Sequence, residues 1–304
     1  MPARVEAISA PQPTPARDVS ASVCLFARDN AVLPMTLARA AEERGFDGFF
    51  VPENTHMPVK RRRGSPYPEE RMKSLANLYD PFVTLGACAA VTERIKLGIS
   101  VCLLTHRHPI ETAKAASSLD HLSGGRLILG VAGGFVAEAM ENHGSPFRDR
   151  WRIVREKTLA IRTLWKDEEP EFHGDFVDFD PFVAKMRPHQ VDGPPIWIGS
   201  NHATVPNKVA EYADGWFVFD GRYSGEPFGD LMNACDERGR DIDEIAVSLM
   251  DAPQNERELS ARFDAGHRRF IFIVNVADEA DASRSLDDLT GLMNRTFGAS
   301  GLAG

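Results

Sequence analysis

Residues 94–134 read RIKLGISVCLLTHRHPIETAKAASSLDHLSGGRLILGVAGG and predict a strand, a helix and a second strand. The run 95–104 is apolar and contains β-branched residues without clean alternation, as in a strand that is buried on both faces. Pro109 is typical of a helix N-terminus, and Gly124–Gly125 indicate where that helix ends. Two parallel strands joined by one helix almost always form a right-handed βαβ unit. The stretch therefore predicts a parallel α/β fold.

Within this helix, the apolar residues Ala115, Leu119 and Leu122 are spaced i, i+4 and i+7. This spacing predicts that they share the face packed against the strands. The second apolar run, 127–131, predicts the strand that follows.

The rest of the chain repeats this alternation. Predicted strands occupy 20–27, 46–52, 95–104, 127–131, 196–200, 215–219, 245–250 and 270–274. Predicted helices begin near Pro34, Asp80–Pro81, Pro109, Arg148, Thr204, Pro227 and Asn255, and a last one contains Leu286 and Met293. Eight strands that alternate with eight helices favour a (β/α)8 TIM barrel, an α/β fold with a single domain.

Two segments are longer than connections in such a barrel usually are. The polar, proline-rich segment 53–79 is predicted to be a loop, and 171–180 is predicted to be a small hairpin. Both are interpreted as insertions in the barrel. Residues 1–19 lack a continuous apolar segment and are predicted to be a flexible N-terminal tail that precedes the domain at 20–304.

Composition narrows the range of functions. The 304 residues are 43% hydrophobic and 26% charged, and no apolar run reaches the roughly 20 residues that span a bilayer. A formal net charge of −9 argues against nucleic acid as a partner. The four cysteines are scattered without metal-ligand spacing, as expected in a reducing cytoplasm. We therefore expect a cytoplasmic protein with a small-molecule partner and neither a membrane nor a nucleic-acid partner.

Candidate site residues follow from the barrel, because the functional loops of this fold lie at the carboxyl ends of the strands. The polar or glycine residues at those ends are Glu53, Asn54, His56, Ser100, His106, His108, Gly133, Gly134, Gly199, Ser200, Asn201 and His202.

The chain resembles the bacterial luciferase-like monooxygenase superfamily, and within it the branch that uses the deazaflavin coenzyme F420. The matching segments lie between about residues 20 and 220 and include AEERGFDGFFVPENTHMP, RHPIETAKAASSLDHLSGGRLILGVAGGF, FHGDFVDFDP, PPIWIGS and ADGW. This resemblance implies the same barrel, a redox activity on a small organic substrate and a homodimer.

The resemblance also implies where the cofactor binds. In similar enzymes, the segment that matches Ser100–Val101 carries a cis peptide bond in a bulge behind the cofactor ring. The turn Ala132-Gly133-Gly134 would hold the cofactor's phosphate or ribityl chain, because glycines let backbone amides approach an anion. The backbone at Gly199-Ser200-Asn201 would form a second anion site before a helix. Ser200 stands where relatives have glycine.

The pair Glu53–Asn54 departs from the family pattern. Many deazaflavin-dependent relatives carry an acidic residue followed by histidine, whereas asparagine cannot transfer a proton. The acid–base role is then either absent or taken by His56, which lies in the same loop. Two interpretations of His56 stay open: it is the acid or base, or it is a loop histidine without a catalytic part. Asn54 is still able to hydrogen-bond the ring or the substrate.

Two charged or metal-ligating clusters have simpler interpretations. His106 and His108 flank Arg107, but no second ligand motif is evident, and we predict no metal. The cationic run 60–63, KRRR, is either a solvated loop face or attracts an anionic substrate or the glutamate tail of the cofactor.

These observations predict an F420-dependent oxidoreductase that transfers hydride between the deazaflavin and a small organic substrate. The first alternative is a luciferase-like monooxygenase that uses reduced FMN and oxygen. The second is a barrel that binds a flavin or deazaflavin without catalysing a reaction.

Overall fold

The computed structural model describes residues 19–29, 31–62, 68–184 and 187–298. Its strands are Ser20–Leu25 (β1), Gly48–Val51 (β2), Lys96–Leu103 (β3), Leu127–Ala132 (β4), Phe172–His173 (β5), Asp178–Phe179 (β6), Ile196–Gly199 (β7), Gly215–Phe219 (β8), Ala246–Met250 (β9) and Arg269–Val274 (β10). All of them except β5 and β6 form a closed, parallel barrel in the order β1-β10-β9-β8-β7-β4-β3-β2. The predicted (β/α)8 barrel is confirmed.

Helices surround the barrel. They are Pro34–Glu43 (α1), Glu69–Ser74 (α2), Pro81–Ala89 (α3), Pro109–Ser123 (α4), Ala137–Asn142 (α5), Arg150–Lys166 (α6), Val205–Tyr212 (α7), Pro227–Asp236 (α8), Glu256–Asp264 (α9) and Glu279–Phe297 (α10). The eight predicted helices are present. The segment predicted to be only a loop, 53–79, contains α2, and the link after β4 contains α5. Both helices are six residues long, too short to show a periodic apolar face.

Helix ends follow the predicted capping residues. The Asp80 carboxylate accepts hydrogen bonds from the backbone N–H groups of Phe82 and Val83, at 2.9 and 3.1 Å, and Pro81 begins α3. These bonds satisfy donors that have no partner within the first helical turn. Helix α4 begins at Pro109 and ends before Gly124, whose φ of 67° is the left-handed conformation that glycine favours.

The predicted face of α4 was wrong at one residue. Leu122 is 74% exposed, and Ala115 is only half-buried. The buried face instead follows Thr112, Ala116, Leu119 and Ser123, at i, i+4, i+7 and i+11. Small residues let the helix pack closely, so the packed face is not the one that carries the most leucines.

The barrel interior is filled beneath the carboxyl ends of the strands. Phe217 lies between Phe50 and Trp197, with ring centroids 5.7 and 5.1 Å away. These rings pack with Ile128 and Ile271 in one buried apolar cluster. Any open space on the barrel axis must therefore lie above this layer, where β1, β3, β4 and β7 end.

The predicted N-terminal tail lies outside the described residues except for Val19. No helix among the described residues has the length and apolar character needed to cross a membrane. The predicted hairpin is confirmed: β5 pairs antiparallel with β6, and Phe172 faces Phe179.

Candidate active site

A cavity of about 280 Å³ opens at the carboxyl ends of the barrel strands. Of the fourteen residues predicted for the site, eleven line it: Glu53, Asn54, Ser100, Val101, His106, Ala132, Gly133, Gly134, Gly199, Ser200 and Asn201. The other three, His56, His108 and His202, are not among the lining residues, and His108 and His202 are exposed. The wall is mainly apolar and includes the side chains of Phe26, Leu103 and Trp151. A concave, apolar space with a few polar groups is the usual form of a small-molecule site.

One wall of the cavity is a bulge in β3. The pairing of β3 with β4 shifts register between Ile99 and Cys102, and the peptide bond between Ser100 and Val101 is cis. Both features are those that the family resemblance implied. A Cβ added at Gly199 would overlap Val101 Cγ1, so the absence of a side chain at position 199 leaves room for Val101 beside the cavity.

The floor contains a thiol that is not activated. Cys24 Sγ lies 3.5 Å from Ser100 Oγ, at hydrogen-bond distance. Burial raises the pKa of Cys24 to about 12, and the hydrogen bond with Ser100 only partly offsets this rise. The thiol is therefore protonated at neutral pH, which argues against a nucleophilic role.

Glu53 is held by structural contacts on both carboxylate oxygens. Its Oε2 accepts a hydrogen bond from the Leu103 N–H at 2.6 Å, and its Oε1 accepts one from Arg107 Nε at 2.5 Å. Arg107 also donates to Asp80 Oδ2 at 2.5 Å. Burial opposes the charge on Arg107, but the attraction of Glu53 outweighs it and raises the Arg107 pKa. Glu53 thus joins the loop after β2 to β3 and α3, and a catalytic part for Glu53 stays a prediction.

Asn54 orders the loop in which it lies. Its Nδ2 donates hydrogen bonds to the carbonyl oxygens of His56 and Leu75, at 3.0 and 3.1 Å. Both amide hydrogens are used in this way, so the side-chain oxygen is the remaining polar atom that Asn54 brings to the cavity wall.

The histidine in the cavity wall is His106, which follows β3. It is 9% exposed, whereas the proposed acid or base His56 lies outside the lining, with its Nε2 at 2.9 Å from Asn142 Nδ2. Burial lowers the pKa of His106 to about 3, and repulsion from His143, His56, Lys157 and Arg107 adds to the effect. His106 is therefore neutral at pH 7. The sequence places His106 at a strand end, but only the fold shows that Thr55, His56 and His143 surround it.

The two turns predicted to bind an anion are well anchored. Thr105 Oγ1 donates to the Gly133 carbonyl oxygen at 3.0 Å, and Gly134 has a φ of 74°. In the other turn, the Ser200 carbonyl oxygen accepts from Trp216 Nε1 at 2.9 Å, and Asn201 Oδ1 accepts from the Phe219 N–H at 3.0 Å. Anion binding at these turns stays a prediction.

Carboxylates pair with part of the cationic run 60–63. Arg61 lies 2.5 Å from Glu69, and Arg62 lies 2.9 Å from Glu138 and 2.5 Å from Glu141. Arg63 lies outside the described residues. These ion pairs reduce the positive potential that the run offers to an anion. Within the cavity itself, Arg71 and Arg222 are lining residues that the sequence analysis missed.

No cluster of three or more histidine, cysteine, aspartate or glutamate side chains in the described part of the chain has a geometry that would hold a metal ion.

Known proteins share both the sequence and the fold. The family model described as luciferase-like monooxygenase matches residues 32–289. A Mycobacterium tuberculosis protein described as uncharacterized is 40% identical over 202 residues, which cover 64% of this chain and 70% of that protein. The F420-dependent glucose-6-phosphate dehydrogenase of Nakamurella multipartita is 30% identical over 240 residues, which cover 77% of this chain and 64% of that enzyme.

Among solved structures, monooxygenase RslO1 from Streptomyces bottropensis matches with a TM-score of 0.74 at 17% identity, covering 91% of this chain and 99% of that one. At this level of identity the likeness shows the fold alone.

Proposed function

Because this chain belongs to the luciferase-like monooxygenase family, we propose that it is an F420-dependent oxidoreductase acting on a small organic substrate. The relative named as an F420-dependent dehydrogenase supports this choice of cofactor. The observation that carries the proposal is the cavity itself. Eleven residues predicted from the sequence surround it, and the Ser100–Val101 bulge forms one wall.

The cavity fits a planar ring that continues into a polar chain. Val101 offers an apolar surface, and any side chain at position 199 would overlap Val101. The backbone turns at Gly133-Gly134 and Gly199-Ser200-Asn201 lie around the same space and are suited to bind the ribityl and phosphate part. When bound, F420 supplies a carbon that gives or takes a hydride.

The chain's own residues then bind, orient and exclude water. Leu103, Phe26 and Trp151 keep the walls apolar, and Arg71 and Arg222 supply positive charge at the wall. The Oδ1 of Asn54 is suited to accept a hydrogen bond from the ring or the substrate. Glu53 fixes the loop that carries Asn54 through its bonds to Arg107 and Leu103.

Reduced FMN with oxygen is the second candidate chemistry. Its ring is also planar, so the same bulge would serve it, and the fold matches that of a monooxygenase. A barrel that binds such a ligand without turnover is the third candidate, and the missing histidine at Asn54 favours it. On the family resemblance we also propose a homodimer and a cytoplasmic location.

Titration of the apoprotein with oxidised F420 and, separately, with FMN distinguishes these candidates. Tryptophan fluorescence and the visible band of the ligand report binding. We expect saturable binding of F420 at lower concentration than FMN. Tighter binding of FMN would support the monooxygenase, and binding of neither would contradict both redox proposals. Binding of F420 without redox change under any substrate would support the non-catalytic barrel.

The variant Gly199→Ala tests where the ring binds. Its methyl group would displace Val101 from the cavity wall, so we expect the Kd of the bound cofactor to rise about tenfold, or ~1.4 kcal/mol. Gly229→Ala is the control, because an added Cβ there meets only Glu226 Cβ at 3.8 Å. Equal affinities in the two variants would place the ring elsewhere.

A further inference from the structure

Three imidazoles surround one hydroxyl group at the edge of the cavity. Thr55 Oγ1 lies 2.9 Å from His56 Nδ1, 3.1 Å from His106 Nδ1 and 3.2 Å from His143 Nε2. The rings of His106 and His143 are stacked, with centroids 4.7 Å apart and planes 13° from parallel. The three histidines come from the loop after β2, the end of β3 and the residue after α5, so the cluster exists only in the folded chain.

The number of donors and acceptors restricts how the hydrogen bonds of this cluster are arranged. A threonine hydroxyl donates one hydrogen bond and accepts two. The Nδ2 amide of Asn142 donates to His56 Nε2 at 2.9 Å, so neutral His56 carries its hydrogen on Nδ1 and donates it to Thr55. One acceptor position and one hydrogen of Thr55 remain. Of His106 and His143, one must therefore donate to Thr55 while the other accepts from it.

Two arrangements satisfy this count. In the first, Thr55 donates to His106 Nδ1, and His106 carries its own hydrogen on Nε2. In the second, Thr55 donates to His143 Nε2, and His106 carries its hydrogen on Nδ1. In the first arrangement the hydrogen bonds run from His143 to Thr55 and from Thr55 to His106, and in the second both run in the opposite direction. Such a reversible pair of hydrogen bonds is the condition for proton transfer along a hydrogen-bonded chain.

The cluster also connects the cavity to solvent. His106 is buried and lines the cavity, and its Nε2 makes no hydrogen bond within the described residues. Thr55 and His143 are exposed. A ligand that fills the cavity would separate His106 from direct contact with water, whereas the path through Thr55 and His143 would stay open.

We propose that His106, Thr55 and His143 form a proton relay between the cavity and solvent, in which His56 orients Thr55. The relay deepens the proposed function, on which it rests for the reaction that consumes or releases the proton. The hydrogen bonds themselves do not depend on which cofactor binds.

The transferred charges balance. If a bound reduced deazaflavin supplied a hydride to an unsaturated carbon of the substrate, the neighbouring oxygen or nitrogen would be left with an electron pair and would need one proton. His106 Nε2 gives its proton to that atom as Nδ1 takes the Thr55 proton, and Thr55 takes the proton of His143 Nε2. Solvent gives one proton to His143 Nδ1, so that His143 stays neutral. After the product leaves, His106 Nε2 takes a proton from solvent that enters the emptied cavity, Nδ1 returns its proton to Thr55, Thr55 returns one to His143 Nε2, and His143 Nδ1 releases one to solvent. The reverse of the transfer serves substrate oxidation.

Nearby charges favour such a concerted transfer. Lys157, on α6, and Arg107 repel a positive charge on either ring, and Glu53 is already paired with Arg107. Glu141, two residues before His143, is paired with Arg62. Burial lowers the pKa of both His106 and His143. His106 therefore does not store a proton at pH 7, but it is able to release one from Nε2 while Nδ1 receives another.

Histidine tautomers in the full chain, without cofactor, test the relay. The nitrogen shifts of 15N-labelled imidazoles are followed as the pH falls from 8 to 5. Protonation of His143, expected below its ordinary pKa of 6.5, makes its Nε2 a donor, so that Thr55 must donate to His106. We expect the Nε2–H form of His106 to increase in step with His143 protonation, from a mixture of both tautomers at pH 8.

Two substitutions separate a relay from a structural contact. Thr55→Val keeps the shape but removes the hydroxyl group, and we expect the His106 tautomer to lose its dependence on His143. Thr55→Ser should preserve that dependence. The relay would be overturned if the His106 tautomer populations did not change with His143 protonation in the natural chain. It would also be overturned if they changed equally in Thr55→Val. Failure of F420 and FMN to bind would instead overturn the proposed function and would leave these tautomers unchanged.

Discussion

Replacing Glu53 with glutamine is expected to lower the free energy of unfolding by about 3 kcal/mol. The Glu53 side chain is only 2% exposed and accepts hydrogen bonds from both the Leu103 N–H and Arg107. Glutamine has one oxygen and one NH₂ group in place of two oxygens. One of the two donors would then face another donor, and Arg107 would lose half of its counter-charge. Urea denaturation, followed by far-UV circular dichroism, measures the loss.

Glu69→Gln is the matched control for this prediction. Glu69 also pairs with an arginine, Arg61, at 2.5 Å, but its side chain is 58% exposed. Exposed pairs contribute about 0–1 kcal/mol, because water solvates both partners when the pair is broken. A loss for Glu53→Gln no greater than that for Glu69→Gln would show that Glu53 does not support the loop.

Replacing Gly130 with alanine is expected to cost about 3 kcal/mol and to weaken cofactor binding as well. An added Cβ would overlap the backbone oxygen of Ile99 and would lie 2.5 Å from Phe217 Cε2. Ile99 precedes the bulge in β3, and Phe217 belongs to the ring layer beneath the cavity. Neither is the flexible end of a side chain, so β3 would have to move away from β4. The wall formed by Ser100 and Val101 would move with it.

Gly86→Ala gives the opposite expectation and serves as the control. Gly86 lies inside α3, where an added Cβ meets nothing within 4 Å. Alanine favours a helix interior over glycine by about 1 kcal/mol, so this variant should be more stable than the natural chain. Gly86 lies in a helix with open space around the added Cβ, whereas Gly130 lies in β4 with Ile99 and Phe217 in the way. Equal effects of the two substitutions would contradict the close approach of β3 and β4.

The barrel could be predicted from the sequence because its signals are local. Each buried parallel strand is a short apolar run, and proline, aspartate and glycine mark helix ends within a few residues. Asp80–Pro81 and Gly124 illustrate this, since the capping bonds at these positions use neighbours in sequence. Once the barrel was predicted, the rule that its sites lie at the carboxyl ends of strands identified nine cavity residues, and the family resemblance added Val101 and Ala132.

The role of each histidine could not be predicted in this way. His56 and His106 both follow strands, and sequence reasoning favoured His56 because it lies two residues beyond Asn54. The structure places His106 in the cavity wall, and His56 is linked to it by the shared hydrogen bonds of Thr55, with the two ring centroids 6.2 Å apart. His143 had no signal, because its partners are 37 to 88 residues away along the chain and α5 is too short to show a period.

The order of strands and helices, the closed barrel and the positions of the cavity loops could all be predicted from the sequence. Each of them depends on apolar periodicity and on residues that end helices. Three features could be known only from the folded chain: Arg107 and Leu103 bind Glu53, α4 exposes Leu122, and three histidines share one hydroxyl group. These features depend on side-chain direction and on contacts between distant segments. A local pattern places a residue at a strand end, but the packing of neighbouring elements decides what that residue touches.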